Sequence, residues 1–348
     1  MTVINGIEIN ILNYDINYTK EAILNNDPIE DKLHVIAVIS NPAQFARRYI
    51  LAKEFIHRME EDQNVIVYVV ELAYGIQKYH ITDSNNKRHL QLRANHILWH
   101  KENMINIGVK KLLPKGWKAF AWIDADVEFE NPSWAKDTLR ILNGYKDIVQ
   151  TFSHAVDMDT DESAMRIFTS FGYQYEKKQK YNKNTQNFWH PGYAWAMTRK
   201  AYERIGGLYE YAILGSGDNI MSLCLINNGL KGINDESTDE YKKTIETFQK
   251  KMRTLRLGYT PGVIRHHYHG SKERRGYNDR WKILTENNYD PLQYVSHDKN
   301  GLLIPTTGCP KDILDRIKNY FYDRQEDEFN KPNHQIINQS DSSIFGAK

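Results

Sequence analysis

Apolar residues fall into two patterns along this chain. The first is the short unbroken run: HVIAVIS at His34 to Ser40, NVIVYVVE at Asn64 to Glu71, KAFAWI at Lys118 to Ile123 and DIVQTF at Asp147 to Phe152. Runs of this length suit strands buried on both faces; HLQLR at His89 to Arg93 reads as a shorter one. The second pattern is helical. Phe45, Tyr49, Ala52, Ile56 and Met59 recur at steps of four and three, which marks one apolar stripe. Further helices are predicted from Glu102 to Val109 and from Pro132-Ser133 to Gly144. Strand and helix alternate, so the expected fold class is α/β: a mostly parallel, Rossmann-like sheet flanked by helices.

Beyond Phe152 the pattern weakens. Residues 157–187 are polar and predict a loop with one helix. GYAWAMT (Gly192 to Thr198) predicts a strand, RKAYERI a helix, and two more helices follow at Asp218 to Ile226 and Tyr241 to Leu257. VIRHHYH (Val263 to His269) alternates like a strand, and Tyr277, Trp281 and Leu284 mark a helix after it. The chain divides into an N-terminal appendage (1–32), a first half ending just past Asp124 and Asp126 (33–152), a second half (153–325) and a disordered tail (326–348).

Composition narrows the function. Among 348 residues, 46 Lys+Arg stand against 44 Asp+Glu, a net charge of +2. A general nucleic-acid binder needs a basic excess to meet phosphates, so no nucleic-acid partner is expected. No apolar run reaches the roughly 18 residues of a membrane span. The N-terminus lacks the basic-then-apolar pattern of a signal peptide. Two cysteines, Cys224 and Cys309, make neither a disulfide framework nor a thiolate zinc site, and the expected location is cytoplasmic. The 22 Tyr, 12 Phe and 7 Trp suit stacking on sugar rings and equally suit an ordinary aromatic core.

The sharpest chemical feature is Trp122-Ile123-Asp124-Ala125-Asp126. A buried strand runs straight into two carboxylates, at the end of a parallel sheet where open α/β folds bind ligands. At a spacing of two both side chains point the same way. A hard divalent ion, Mn²⁺ or Mg²⁺, bridging to a diphosphate would relieve their repulsion; exposed acids closing a strand are the plainer alternative. Arg265-His266-His267-Tyr268-His269-Gly270 offers imidazoles to complete such a shell, with His267 and His269 sharing one face if the strand continues. Lys272 and Arg275, in the basic stretch that follows, suit a leaving diphosphate. In Leu214-Gly215-Ser216-Gly217-Asp218, glycines before an acid let a loop approach a ligand, and Asp218 is either a general base or a helix cap. Tyr193 and Trp195, beside the Gly192 turn, and Gly217 are candidates for the acceptor wall. Lys101 and Asn103 at a helix start, and Asn41 and Glu71 at strand ends, are candidates for the donor nucleoside.

The order of these motifs, from Trp-x-Lys-Glu-Asn through AWIDADV, HPGYAW, Gly-Gly-Leu and Gly-x-Gly-Asp to His-x-x-His-Gly, resembles a GT-A fold glycosyltransferase of the family-two type over residues 33–325. It is also distantly similar to β-1,4-galactosyltransferases, whose later metal motif is echoed by Ile264-Arg265-His266. The resemblance implies a first half that binds the nucleotide-sugar donor (a UDP- or GDP-sugar) and a second half that binds a glycan or other hydroxyl acceptor. It implies Asp124 on the ribose or the ion, Asp126 on the ion, a third ligand at His269 or His266, and Asp218 as base of an inverting hexosyl transfer. The acceptor loop Gly-Ser-Gly-Asp-Asn departs from the galactosyltransferase run of consecutive acids. Two other readings stay open: a non-catalytic glycan- or nucleotide-binding module of the same fold, and a metal-dependent nucleotidyltransferase.

Overall fold

A computed structural model describes residues 2–4, 7–9, 17, 28–181, 189–271, 274, 276 and 279–328. Its strands in chain order are β1 (Thr2–Ile4), β2 (Ile7–Ile9), β3 (Leu33–Ser40), β4 (Val65–Tyr74), β5 (His89–Ala94), β6 (Ala119–Ile123), β7 (Val127–Phe129) and β8 (Ile148–Gln150). There follow β9 (His154–Met158), β10 (Ala164–Ser170), β11 (Trp189–His190), β12 (Ala194–Thr198), β13 (Leu257–Tyr259), β14 (Val263–His266), β15 (Val295–His297) and β16 (Leu303–Pro305). The helices are α1 (Ala46–Glu61), α2 (Lys101–Leu112), α3 (Trp134–Leu142), α4 (Phe171–Glu176), α5 (Arg199–Ile205), α6 (Gly217–Leu225), α7 (Asp239–Met252), α8 (Trp281–Thr285), α9 (Pro291–Tyr294) and α10 (Lys311–Asp323).

The central sheet has seven strands in the order β13-β8-β12-β6-β3-β4-β5. It is the mostly parallel sheet flanked by helices that the strand pattern predicts: β6, β3, β4 and β5 run parallel, as do β8 and β13, and only β12 is reversed between β6 and β8. Alternation along β3 explains its two-sided burial. Val35, Ala37 and Ile39 belong to one core with Phe55 and Met59 of α1 and Leu139 of α3, whereas Ile36, close to Gly108 of α2, belongs to the other with Met104 of α2 and Ile220 of α6. Burying each such side chain contributes about 1.5–3 kcal/mol. No helix among the described residues is long and apolar enough to cross a membrane.

A second sheet, β11-β10-β9-β14-β7, is what the sequence hides. Residues 157–170, within the stretch read above as a polar loop with one helix, complete β9 and form β10; Ala164 to Ile167 are all exposed, so the apolar Met165 and Ile167 mark no buried face and no alternation. The predicted strand to His269 stops at His266. Glu326, placed by the sequence reading at the start of the tail, is 1% exposed and tied into the fold.

Candidate functional site

Strand β6 ends at Ile123, and Asp124-Ala125-Asp126 carries the chain from the first sheet into the second. There β7 pairs antiparallel with β14, setting Val127 opposite His266, while β14 pairs parallel with β9, setting His266 opposite Asp157. This register places Asp126, His266 and Asp157 side by side. The His267 amide then donates to the Asp126 carbonyl at 2.8 Å, and the chain turns. His269 comes back over Asp126, with its Nε2 3.0 Å from Asp126 Oδ2 and 3.2 Å from His266 Nε2. One ligand atom each from Asp126, His266 and His269 lies within 4.8 Å of the others. The turn also overrides the expected strand alternation: His266, not His267, joins His269, and His267 pairs with Glu128 at 3.1 Å.

The surroundings suit a cation. Asp126 Oδ1 is buried and has no hydrogen-bond partner among the described residues, an arrangement that costs free energy until something positive meets it. His266 Nδ1 lies 2.9 Å from Asp157 Oδ1, which also accepts from the Tyr193 hydroxyl at 2.8 Å. A buried carboxylate there keeps the proton on Nδ1 and leaves the Nε2 lone pair facing the cluster. Asp157 sits in the segment read as loop; no signal in its polar neighbourhood marks it as a strand position.

Asp124 does not join the cluster. Its Oδ1 contacts Lys101 Nζ at the start of α2. Burial alone would lower Lys101, but Asp124 foremost, then Asp218 and Glu102, hold it above the ordinary lysine range, so it stays charged. Beside it Glu102 is buried, and its carboxyl is pushed up to about 8, by burial first and further by Asp218, against the pull of Lys101. It lies directly against Gly217, where any Cβ would collide with the Glu102 carboxyl. The folded chain therefore keeps this proton where the unfolded chain, with an ordinary value of 4.5, has lost it. Stability from Glu102 is complete below that lower value and is lost as pH rises toward about 8. Glu102→Gln is expected to melt with wild type near about pH 5 and above it near about pH 8.5. Calorimetric melts at the two pH values check this; the same gap at both would mean that Glu102 is already ionised in the fold.

Asp218 opens α6. Its Oδ1 accepts from the Asn219 amide at 2.8 Å, and its Oδ2 lies 2.8 Å from where a Cβ on Gly192 would sit. The His190 ring edge, at 3.2 Å, shares that space, so only glycine leaves room for both groups. Tyr193 and Ser216, flanking this point, hold left-handed backbone with φ of 79° and 74°. Such non-glycine positions cost about 1–3 kcal/mol each and cluster at functional sites. Asp124, Asp126, His266, His269, Lys101 and Asp218 all line one cleft of about 770 Å³, within the size range of ligand pockets. Trp99, Trp281, Tyr320 and Arg280 line it as well; Arg280 donates to Ser216 Oγ and, at 3.1 Å, to the Tyr320 hydroxyl.

Other sequence candidates are committed elsewhere. Asn41 bonds the Phe45 backbone in both directions, at 2.8 and 3.0 Å. Glu71 accepts from the His80 and Thr82 amides at 2.7 and 2.8 Å, organising a loop. Asn103 holds the Leu303 amide at 2.9 Å and donates to Glu210. Trp195 is core: it is 2% exposed, stacks on Trp122 and donates to the Pro191 carbonyl. Gly217 packs on Glu102 rather than lining the cleft. Tyr193 reaches the cleft, but His190 covers its ring at 4.0 Å and Asp157 takes its hydroxyl, so it braces His266 rather than offering a stacking face. Lys272 and Arg275 lie outside the described residues. The aromatic residues that line the cleft are instead Trp99, Trp281 and Tyr320, none of them chosen from the sequence for that role; Trp99 is stacked on Phe321 and Tyr320 lies under Arg280.

No family model matches the chain, and no curated protein is similar to it in sequence. Among solved structures it is similar to the catalytic domain of Drosophila β1,4-galactosyltransferase 7 in complex with xylobiose, at 10% identity and a TM-score of 0.32, over 66% of this chain and 65% of that one. It is also similar to the mannosyltransferase PcManGT from Pyrobaculum calidifontis in complex with GDP-Man and Mn²⁺, at 12% identity and a TM-score of 0.40, over 88% of this chain and 76% of that one. Both of those proteins are glycosyltransferases.

Proposed function

We propose that this cleft transfers a sugar from a nucleoside diphosphate sugar to a hydroxyl acceptor, with a divalent cation held by Asp126, His266 and His269. The observation that carries the reading is the convergence of the unpartnered Asp126 Oδ1 and two imidazole Nε2 atoms in the cleft that also presents Asp218. Two imidazoles favour Mn²⁺ over Mg²⁺, which prefers an all-oxygen shell. When bound, the cation supplies neutralisation of the charge that builds on a departing diphosphate.

The chain's own residues do the rest. Asp218, at the start of α6, takes the proton of the acceptor hydroxyl. The acceptor oxygen bonds to the anomeric carbon as the bond from that carbon to the phosphate oxygen breaks, and configuration inverts. Lys101, held by Asp124, adds a fixed positive charge on the donor side. The partly exposed indole of Trp281 offers an apolar face to a sugar ring, while Trp99, stacked on Phe321 and covered by the Arg324 guanidinium, stiffens the wall behind it, with Arg280 anchored between Ser216 and Tyr320.

The test is product analysis with UDP- and GDP-sugars and Mn²⁺. Release of nucleoside diphosphate supports the proposal; release of pyrophosphate would instead show nucleotidyl transfer, and tight donor binding without turnover a recognition module. A separate check concerns the histidines. His267→Ala is expected to leave Mn²⁺ affinity at the wild-type value, because its ring is turned to Glu128, whereas His266→Ala and His269→Ala each weaken it. Loss of Mn²⁺ on removing His267 alone would contradict the geometry of this turn.

A further inference from the structure

We propose that Glu326, in the segment after α10, is the outer positioning residue of the metal ligand His269; this rests on the reading of Asp126, His266 and His269 as a cation site. The two imidazoles share an inner side but differ behind. Asp157 stands behind His266, and behind His269 stands Glu326, whose Oε2 is 3.9 Å from His269 Nδ1. Glu326 is 1% exposed. A charge buried that far needs partners, and it has them: Arg48 Nε donates to Oε2 at 2.9 Å, and Arg324 Nε lies 2.8 Å from Oε1.

The segment around it is knotted to the chain on both sides of His269. Arg47 Nε donates to the Tyr268 carbonyl. Gly270 sits so close that a Cβ there would be 3.0 Å from Glu326 Cα. Asp327 accepts from the Ala46 and Arg47 amides at the start of α1, each at 2.9 Å. At 3.9 Å the carboxylate makes no direct hydrogen bond to Nδ1; its fixed negative charge behind the ring favours the tautomer that carries the proton on Nδ1 and turns the Nε2 lone pair to the cation, and loss of an outer partner typically costs 10–100-fold in metal affinity.

The experiment titrates the full chain with Mn²⁺ alone, following free Mn²⁺ by electron paramagnetic resonance, alongside melting curves without metal. Glu326→Gln is expected to raise the Mn²⁺ Kd about 10–100-fold. Glu326→Asp keeps the charge that Arg48 and Arg324 need but draws the carboxylate back from His269. It is expected to fold, melting somewhat below wild type because the shorter side chain also draws back from the two arginines, and to raise the Kd roughly tenfold, so it stands in if the glutamine variant does not fold. Asp327→Asn loosens the same segment without touching His269 and is expected to keep the wild-type Kd. Wild-type affinity in both Glu326 variants, or an equal loss in Asp327→Asn, would overturn the proposal. A wild-type chain that binds no Mn²⁺ would overturn the cation site itself, a distinguishable result.

Discussion

Replacing Asp126 with alanine is expected to abolish the difference between nucleoside diphosphate binding with Mn²⁺ and with EDTA, and to lower any transfer activity at least about 10³-fold. The size follows from what is removed. Asp126 is the one carboxylate of the cluster; without it His266 and His269 remain, two neutral nitrogens. A bound cation supplies several kcal/mol of charge stabilisation to a departing diphosphate, and each ~1.4 kcal/mol is tenfold in rate. The fold should survive, because Asp126 holds its neighbours through its carbonyl, which accepts from the His267 amide at 2.8 Å whatever the side chain. Calorimetric titration of UDP and GDP, with and without metal, checks the binding half. Undiminished metal coupling in Asp126→Ala would move the cation away from this cluster.

Asp218→Asn is the second large effect. Asparagine keeps the size, and its side-chain oxygen still accepts from the Asn219 amide, as Asp218 Oδ1 does at 2.8 Å. It cannot take a proton. Donor and Mn²⁺ affinities should stay near wild type while transfer falls about 10²–10⁴-fold, the usual contribution of a positioned base. A helix-capping role alone predicts otherwise, since asparagine caps about as well as aspartate. The anomeric configuration of the product, read by NMR, adds an independent check. Full activity in the variant, or a retained anomer, would take Asp218 out of the chemistry.

Much of the first sheet was legible because strands buried on both faces are written as unbroken apolar runs; β3, β4 and β6 follow directly from theirs. Asp124 and Asp126 were legible for the same reason, as acids at the end of such a run. The second sheet was not. Ala164 to Ile167 of β10 are exposed, so no period separates strand from loop there, and Asp157 and its bond to His266 stayed hidden. The candidates His269 and His266 are the pair that the cluster holds, but the alternation that put His267 and His269 on one face failed at one turn: periodicity extends a strand but does not say where it stops. Glu326 looked like the start of a polar tail because charge in sequence gives no sign of the two arginines, Arg48 and Arg324, that meet it. Trp195 shows the converse, an aromatic beside a glycine turn that reads equally well as ligand wall or as core.

The second sheet also dictates when the cluster can exist. His266 and Asp157 are 109 positions apart in sequence, and Arg48 and Glu326 are 278 apart. Contacts of such separation form late, because the entropy of closing long loops is lost before they give any return. On a nascent chain, Asp126 therefore waits 140 residues and Asp157 109 residues before His266, the first imidazole of the cluster, is added. A cation cannot template this fold from its early segments; it can only tighten a chain that has already closed, through its preference for the native state.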